Sequence, residues 1–139
     1  RLDTIQAVVG NWLLPQAQSI SDKRRENAKY LDNGFKKIKQ ITIPPRPESF
    51  RLVFHLYIVF AKDRDNLLKY CLDRGIDAKI HYPIPIYKQS ALDYLGHKDG
   101  DFPVTDEHVE KIITLPCDQH LEQKQLDYII STVAEYYEQ

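Results

Sequence analysis

The sequence predicts an α+β domain: a small sheet covered by helices on one side and preceded by a two-helix arm. Three strand-like apolar runs, over residues 51–60, 76–80 and 112–115, stand far apart in the chain. Amphipathic helical patterns fill the gaps between them and close the chain. Two further helical patterns precede the first strand. The expected organisation is a helical arm over residues 1–35 and a small α/β domain over residues 36–139.

The elements follow in order. Leu2, Ile5, Val9 and Trp12 fall at helical spacing, with Val8 and Leu13 beside them. Pro15 interrupts this helix, because a proline inside a helix costs about 3 kcal/mol, but it is acceptable as the first residue of a new one. From there Ala17, Ile20, Ala28, Leu31 and Phe35 share a face, and Gly34 reads as the C-terminal cap. The outer face, Asp22 to Lys29, mixes charges of both signs and reads as solvated and salt-bridged. Pro44, Pro45 and Pro47 mark a loop.

The strongest strand pattern runs from Arg51 to Phe60. Leu52, Phe54, Leu56, Ile58 and Phe60 form a wholly apolar face and are assigned to the core; Val53, His55, Tyr57 and Val59 take the other face. Asp63 to Arg74 reads as a helix with Leu67, Leu68, Cys71 and Leu72 inward and Gly75 at its end. Ile76 to Ile80 reads as a second strand, and Gln89 to Leu95 as a short helix closed by Gly96. Thr105 reads as the N-cap of the next helix, with acids in its first turn. Ile112 to Leu115 is the third strand. Leu121, Leu126, Ile129, Ile130, Val133 and Tyr137 make a final amphipathic helix.

Composition narrows the function classes. The 19 basic residues balance 20 acidic ones, so no charge excess argues for a nucleic acid or an anionic membrane as partner. No apolar run approaches the roughly 20 residues of a membrane span, and the opening residues do not read as a signal peptide. Cys71 and Cys117 are far apart and belong to no CxxC or Cys/His cluster, which fits reduced, partly buried thiols and a cytoplasmic protein. The chain opens on Arg1 and contains no methionine. This reads as a piece of a longer chain entered in mid-element; a natural N-terminus trimmed by processing is the alternative.

No self-sufficient catalytic constellation is visible: no glycine-rich phosphate loop, no nucleophile elbow, and no metal-ligand spacing among the five histidines. The richest stretch is Lys79 to Gln89. His81, Tyr82, Tyr87, Lys88 and Gln89 crowd a segment that Pro83 and Pro85 hold extended. His81 leaves a buried strand for a rigid loop, where its imidazole can meet a ligand. The alternative is a histidine that caps a strand end with ordinary hydrogen bonds.

Several motifs then carry a resemblance. Arg1-Leu2-Asp3-Thr4-Ile5-Gln6-Ala7 resembles the R-[ML]-D-x-I-Q-A motif of the DegT/DnrJ/StrS family of sugar aminotransferases. Lys23 to Tyr30 is similar to that family's basic helix, and Phe54-His55-Leu56-Tyr57 to its YHxY strand. Gly75-Ile76, His81-Tyr82-Pro83-Ile84-Pro85 and Gln89 match its GI…HYPxPxHxQ loop. Gly100 to Val104 and Thr114-Leu115-Pro116 match GDFPxxE and SLP. Their order and gaps hold over essentially the whole chain.

The resemblance implies the small C-terminal domain of the aspartate aminotransferase-like fold (fold type I), with a three-stranded, mainly antiparallel sheet. It implies an enzyme that uses pyridoxal 5'-phosphate and transfers an amino group, usually from glutamate, to a keto group on a nucleotide-linked sugar, in amino-sugar or surface polysaccharide biosynthesis. It also implies a homodimer with active sites at the subunit interface. The Schiff-base lysine and the aspartate that pairs with the cofactor's ring nitrogen precede Arg1 in the family pattern. No catalytic, cofactor-binding or metal-binding residue is therefore expected in this chain, and the fragment alone is expected to be inactive. Arg1, His81, Tyr82, Tyr87 and Gln89 are the residues implied to bind substrate. Tyr87 departs from the family loop, which usually has histidine there. The competing reading is a stand-alone, non-catalytic α/β binding or interaction domain.

Overall fold

The computed structural model describes residues 2–138. Helix α1 (Thr4–Leu13) begins at Asp3, whose carboxylate accepts from the Gln6 amide while the Gln6 side chain accepts from the Asp3 amide. This reciprocal cap satisfies two amides that the first helical turn leaves unpaired. The proline resolves into a single 3-10 turn, Leu14–Gln16, that leads straight into α2 (Ala17–Phe35). Strands β1 (Ile41–Thr42) and β2 (Tyr57–Ala61) follow, then α3 (Arg64–Asp73), α4 (Pro103–Lys111), β3 (Ile112–Leu115) and α5 (Gln123–Glu138).

The sheet is three-stranded and antiparallel throughout, in the order β1-β2-β3, with Ile41 opposite Ala61 and Tyr57 opposite Leu115. Its membership differs from the sequence reading. The short β1 takes an edge, whereas residues 76–80 contribute a single bridge, Lys79 with Thr114. Ile76 and Ala78 are buried there without ladder partners, so their apolar alternation reports packing rather than strand pairing.

The face assignment of the central strand is reversed. Tyr57, Val59 and Ala61 are fully buried, whereas Ile58 and Phe60 are only half-buried. The run from Arg51 does not extend as a strand because Phe54 adopts φ 49°, a left-handed conformation that interrupts extended backbone. Arg24 holds this bend: its Nε donates to the Phe54 carbonyl and its Nη2 to the His55 carbonyl, both at 2.9 Å. Arg24 thus leaves the solvated face assigned to it. Its neighbours keep that face, with Lys23 on Glu26 at 3.4 Å and Arg25 on Asp22 at 3.7 Å.

Three helices cover the inner face of the sheet. Ala28, Leu31 and Phe35 of α2, Leu67 and Cys71 of α3, and Leu126, Ile129 and Val133 of α5 close on Tyr57, Val59, Ile113 and Leu115. Leu72 is half exposed rather than inward. The other face is partly covered by α4, whose His108 ring lies 4.4 Å from that of Phe60. Helix α4 starts at Pro103, the proline taking the first turn, with Phe102 rather than Thr105 at the cap. Gly34 lies inside α2, with Lys36 at the C-cap. Its lack of a Cβ serves the close approach of α5 instead, since a methyl there would meet Ile130 Cδ1 at 2.5 Å. Packing divides α2 in two: its second half belongs to the core, whereas α1 has no buried residue. Leu2, Ile5, Val8, Val9, Trp12 and Leu14 stand exposed on the arm.

Candidate functional site

The bridge between Lys79 and Thr114, with backbone bonds of 3.0 and 2.8 Å, delivers the chain to His81 at the rim of the sheet. There His81 Nδ1 lies 2.9 Å from Thr114 Oγ1. A threonine hydroxyl both donates and accepts, so it can hold the ring in either tautomer and leave Nε2 as the nitrogen able to meet a ligand. The Tyr82 ring stands edge-on to His81 at 5.3 Å and is itself 69% exposed. An imidazole and a phenol thus form one wall, with the phenol projecting into open space.

The other sequence-predicted residues are placed differently. Tyr87 turns inward and is buried. Its hydroxyl donates to Asp106 and its ring packs against Phe102 at 4.8 Å. Gln89 is exposed and folds back, its Nε2 donating to the Ile84 carbonyl at 3.4 Å. Arg1 lies outside the described residues. The structure therefore brings His81 and Tyr82 together at the rim and sends Tyr87 to the underside of the loop.

Electrostatics around the underside centre on Asp106. The Tyr87 hydroxyl, the Gly100 amide and the Lys88 ammonium hold its carboxyl below the usual carboxylate range. Hydrogen bonds to Asp99 and Tyr87 hold Lys88 above the usual lysine value. A Schiff-base lysine needs an amine that is readily neutral, and Lys88 is pushed the other way. Lys88 and every other lysine are exposed.

Sequence reasoning missed a large groove of about 1170 Å³ between α2 and the 41–54 segment. None of His81, Tyr82, Tyr87 and Gln89 lines it. Its two arginines are both paired: Arg25 with Asp22 one turn away on α2 at 3.7 Å, and Arg46 with Asp32 across the groove at 3.4 Å. Arg46 also donates to the Ile58 carbonyl and lies 5.1 Å from the centre of the Phe54 ring. It holds the irregular segment against the core, so the groove's buried charge serves the packing of that segment. The signal was in the sequence, as Arg46 among three prolines, but nothing there places α2 opposite it. Among the described residues no group of three or more His, Cys, Asp or Glu side chains is placed to hold a metal ion.

Residues 1–134 match the model of the DegT/DnrJ/EryC1/StrS aminotransferase family. The chain is 30% identical to the dTDP-3-amino-3,4,6-trideoxy-alpha-D-glucose transaminase of Streptomyces venezuelae, over 99% of its own length and 36% of the relative's. It is 29% identical to the erythromycin biosynthesis sensory transduction protein EryC1 of Saccharopolyspora erythraea, over 96% and 36% respectively. Among solved structures, S. venezuelae DesV matches with a TM-score of 0.95 and 29% identity, covering 100% of this chain and 38% of that one. A family aminotransferase from Brucella abortus matches with a TM-score of 0.90 and 26% identity, over 98% and 36%. The chain thus spans just over a third of the length of the proteins it matches.

Proposed function

This chain belongs to the DegT/DnrJ/EryC1/StrS aminotransferase family, and from that premise we propose that it is the C-terminal part of an enzyme that aminates a keto group on a nucleotide-linked sugar. The observation that carries this reading is a family match along residues 1–134 together with a backbone that superposes on DesV over its whole length. Relatives named as transaminases of dTDP- and UDP-linked sugars support the substrate class. The whole protein would use pyridoxal 5'-phosphate, which supplies the electron sink for amino transfer, and an amino donor such as glutamate. We assign it to the cytoplasm, to amino-sugar or surface polysaccharide synthesis, and to a homodimer.

The work of this chain is binding. His81 Nε2 and the Tyr82 hydroxyl form one wall of the substrate cleft and offer hydrogen bonds to sugar or phosphate oxygens. Arg1 would place a guanidinium at the mouth, where it can hold a carboxylate or phosphate in two-pronged fashion. Gln89 can swing out from its long bond to Ile84. Tyr87 acts from beneath by fixing the loop. We read residues 1–35 as the arm that joins this small domain to the cofactor-bearing part, with the second half of α2 also packed into the small domain's core.

The test is expression of a full-length gene carrying this chain, followed by incubation with dTDP- and UDP-linked keto-sugars and glutamate. The expected product is the amino sugar, seen by mass, and residues 1–139 alone yield none. His81→Ala in the full-length protein should lower kcat/KM by about 5- to 100-fold, as expected for one lost hydrogen bond to substrate. No product from any such sugar rejects the function; unchanged kinetics in the variant make His81 a strand-end residue.

A further inference from the structure

The wall is a loop fastened at two points, and both fastenings sit on one continuous piece of backbone. At the near end His81 is held by Thr114 of β3. At the far end Tyr87 is held by Asp106 of α4. Helix α4 ends at Lys111 and β3 begins at Ile112, with no loop between them. The distance between the two fastenings is therefore set by a rigid helix-strand unit and not by the loop.

Between the fastenings the loop has little of its own to fix it. Tyr82, Pro83, Ile84 and Ile86 are exposed and Pro85 is buried; the Gln89 side chain reaches the Ile84 carbonyl only at 3.4 Å, and the loop's first internal backbone bond is Lys88 to Pro85 at 3.0 Å. The far end converges on one carboxylate. Asp106 Oδ1 accepts from Tyr87 and lies 3.4 Å from Lys88 Nζ, while Oδ2 accepts from the Gly100 amide at 3.1 Å. Lys88 also reaches Asp99 at 2.8 Å, so the loop, the 97–102 turn and α4 are joined at Asp106. The position in the first turn of α4 favours a carboxylate there.

We propose that Asp106 is a positioning residue of the aminotransferase: gripping Tyr87 and Lys88 from α4, it holds the loop so that His81 and Tyr82 stand at the spacing substrate binding requires. The proposal rests on the reading that this loop lines the substrate cleft. Asp106 touches no substrate, so its removal acts on KM through loop order.

The experiment uses the full-length protein with Asp106→Ala, Asp106→Glu and Tyr87→Phe, and with Glu107→Ala as control, since Glu107 pairs with Lys111 at the surface of α4 and makes no bond to the loop among the described residues. Amide exchange of Lys88 and Gln89, the hydrogen-bonded amides of the loop, and the separate kcat and KM for the nucleotide-linked sugar are measured. Asp106→Ala should speed exchange of the Lys88 and Gln89 amides and raise KM, each about tenfold, the size of one charge-assisted hydrogen bond, with kcat little changed. Tyr87→Phe should give a smaller effect in the same direction. Asp106→Glu should recover part of the loss, and Glu107→Ala should match wild type. Unchanged exchange in Asp106→Ala overturns the proposal, as does faster exchange with wild-type KM. If Asp106→Ala melts the whole domain, Tyr87→Phe decides on the same two readouts. A wild-type protein that aminates no nucleotide-linked sugar overturns the functional reading first, and the proposal with it.

Discussion

The Tyr57 hydroxyl donates to Asp32 at 2.7 Å in the middle of the core, and Arg46 closes on the same carboxylate from outside. Burial and the neighbouring carboxylate push the Tyr57 phenol far above its ordinary value. Tyr57→Phe keeps the ring and removes the donor. It should destabilise the domain by about 1–3 kcal/mol, the range for a buried polar group left short of a partner, as read by urea unfolding. An unchanged midpoint would mean that Arg46 satisfies Asp32 alone. Residue identity also told less than residue position. An apolar Leu52-to-Phe60 face looks like core in the sequence, yet the tyrosine-bearing face is inside, because Asp32 on another element supplies the partner that makes a buried phenol tolerable.

At the scale of elements, Gly34 shows why a cap signal misled. Glycine ends many helices, and in the sequence it cannot be distinguished from a glycine that admits a neighbouring helix. Gly34→Ala gains helix propensity but meets three carbons of Ile130 within 2.9 Å. It should destabilise by about 1–3 kcal/mol through overpacking. The double variant with Ile130→Ala should be less unstable than the sum of the two single ones, because the two sites touch; simple additivity in thermal melts would contradict the contact. The helices themselves were legible, since 3.6-residue periodicity is local. The edge strand β1, two residues long, was not, because its evidence is a partner some 20 residues away. The candidate loop was legible for its own reasons: prolines and crowded polar groups mark it without knowledge of the fold. That Tyr87 faces down rather than out depends on α4 and could not be read locally.

The whole molecule carries two further expectations. Trp12, the single tryptophan, is 69% exposed. In residues 1–139 alone its fluorescence should have the red-shifted emission of an indole in water, and it should shift to the blue in a full-length protein if the arm is covered there. Equal spectra would show the arm uncovered in both. The second expectation concerns pH. Burial pushes the Cys71 thiol up to about 11 and the Cys117 thiol up to about 12, from an ordinary value of 9.0. Above pH 9 the unfolded chain releases protons that the folded chain retains. Stability should therefore be fully present below about pH 9 and fall as pH rises through 11–12. Unfolding midpoints across that range measure it, and a flat profile would contradict it. At neutral pH both thiols should react with a disulfide reagent only on unfolding.

By itself the sequence determined the helices, the β3 strand, the family, and the loop that carries His81 and Tyr82. These are properties of short windows: periodicity, proline and glycine punctuation, and motif order. Tertiary structure alone decided which face of β2 is the core, which segment completes the sheet, why Gly34 lacks a side chain, and that Asp106 and Thr114 fasten the two ends of one loop. Each of these depends on contacts between residues far apart in the chain, and such contacts leave no period in the sequence to read.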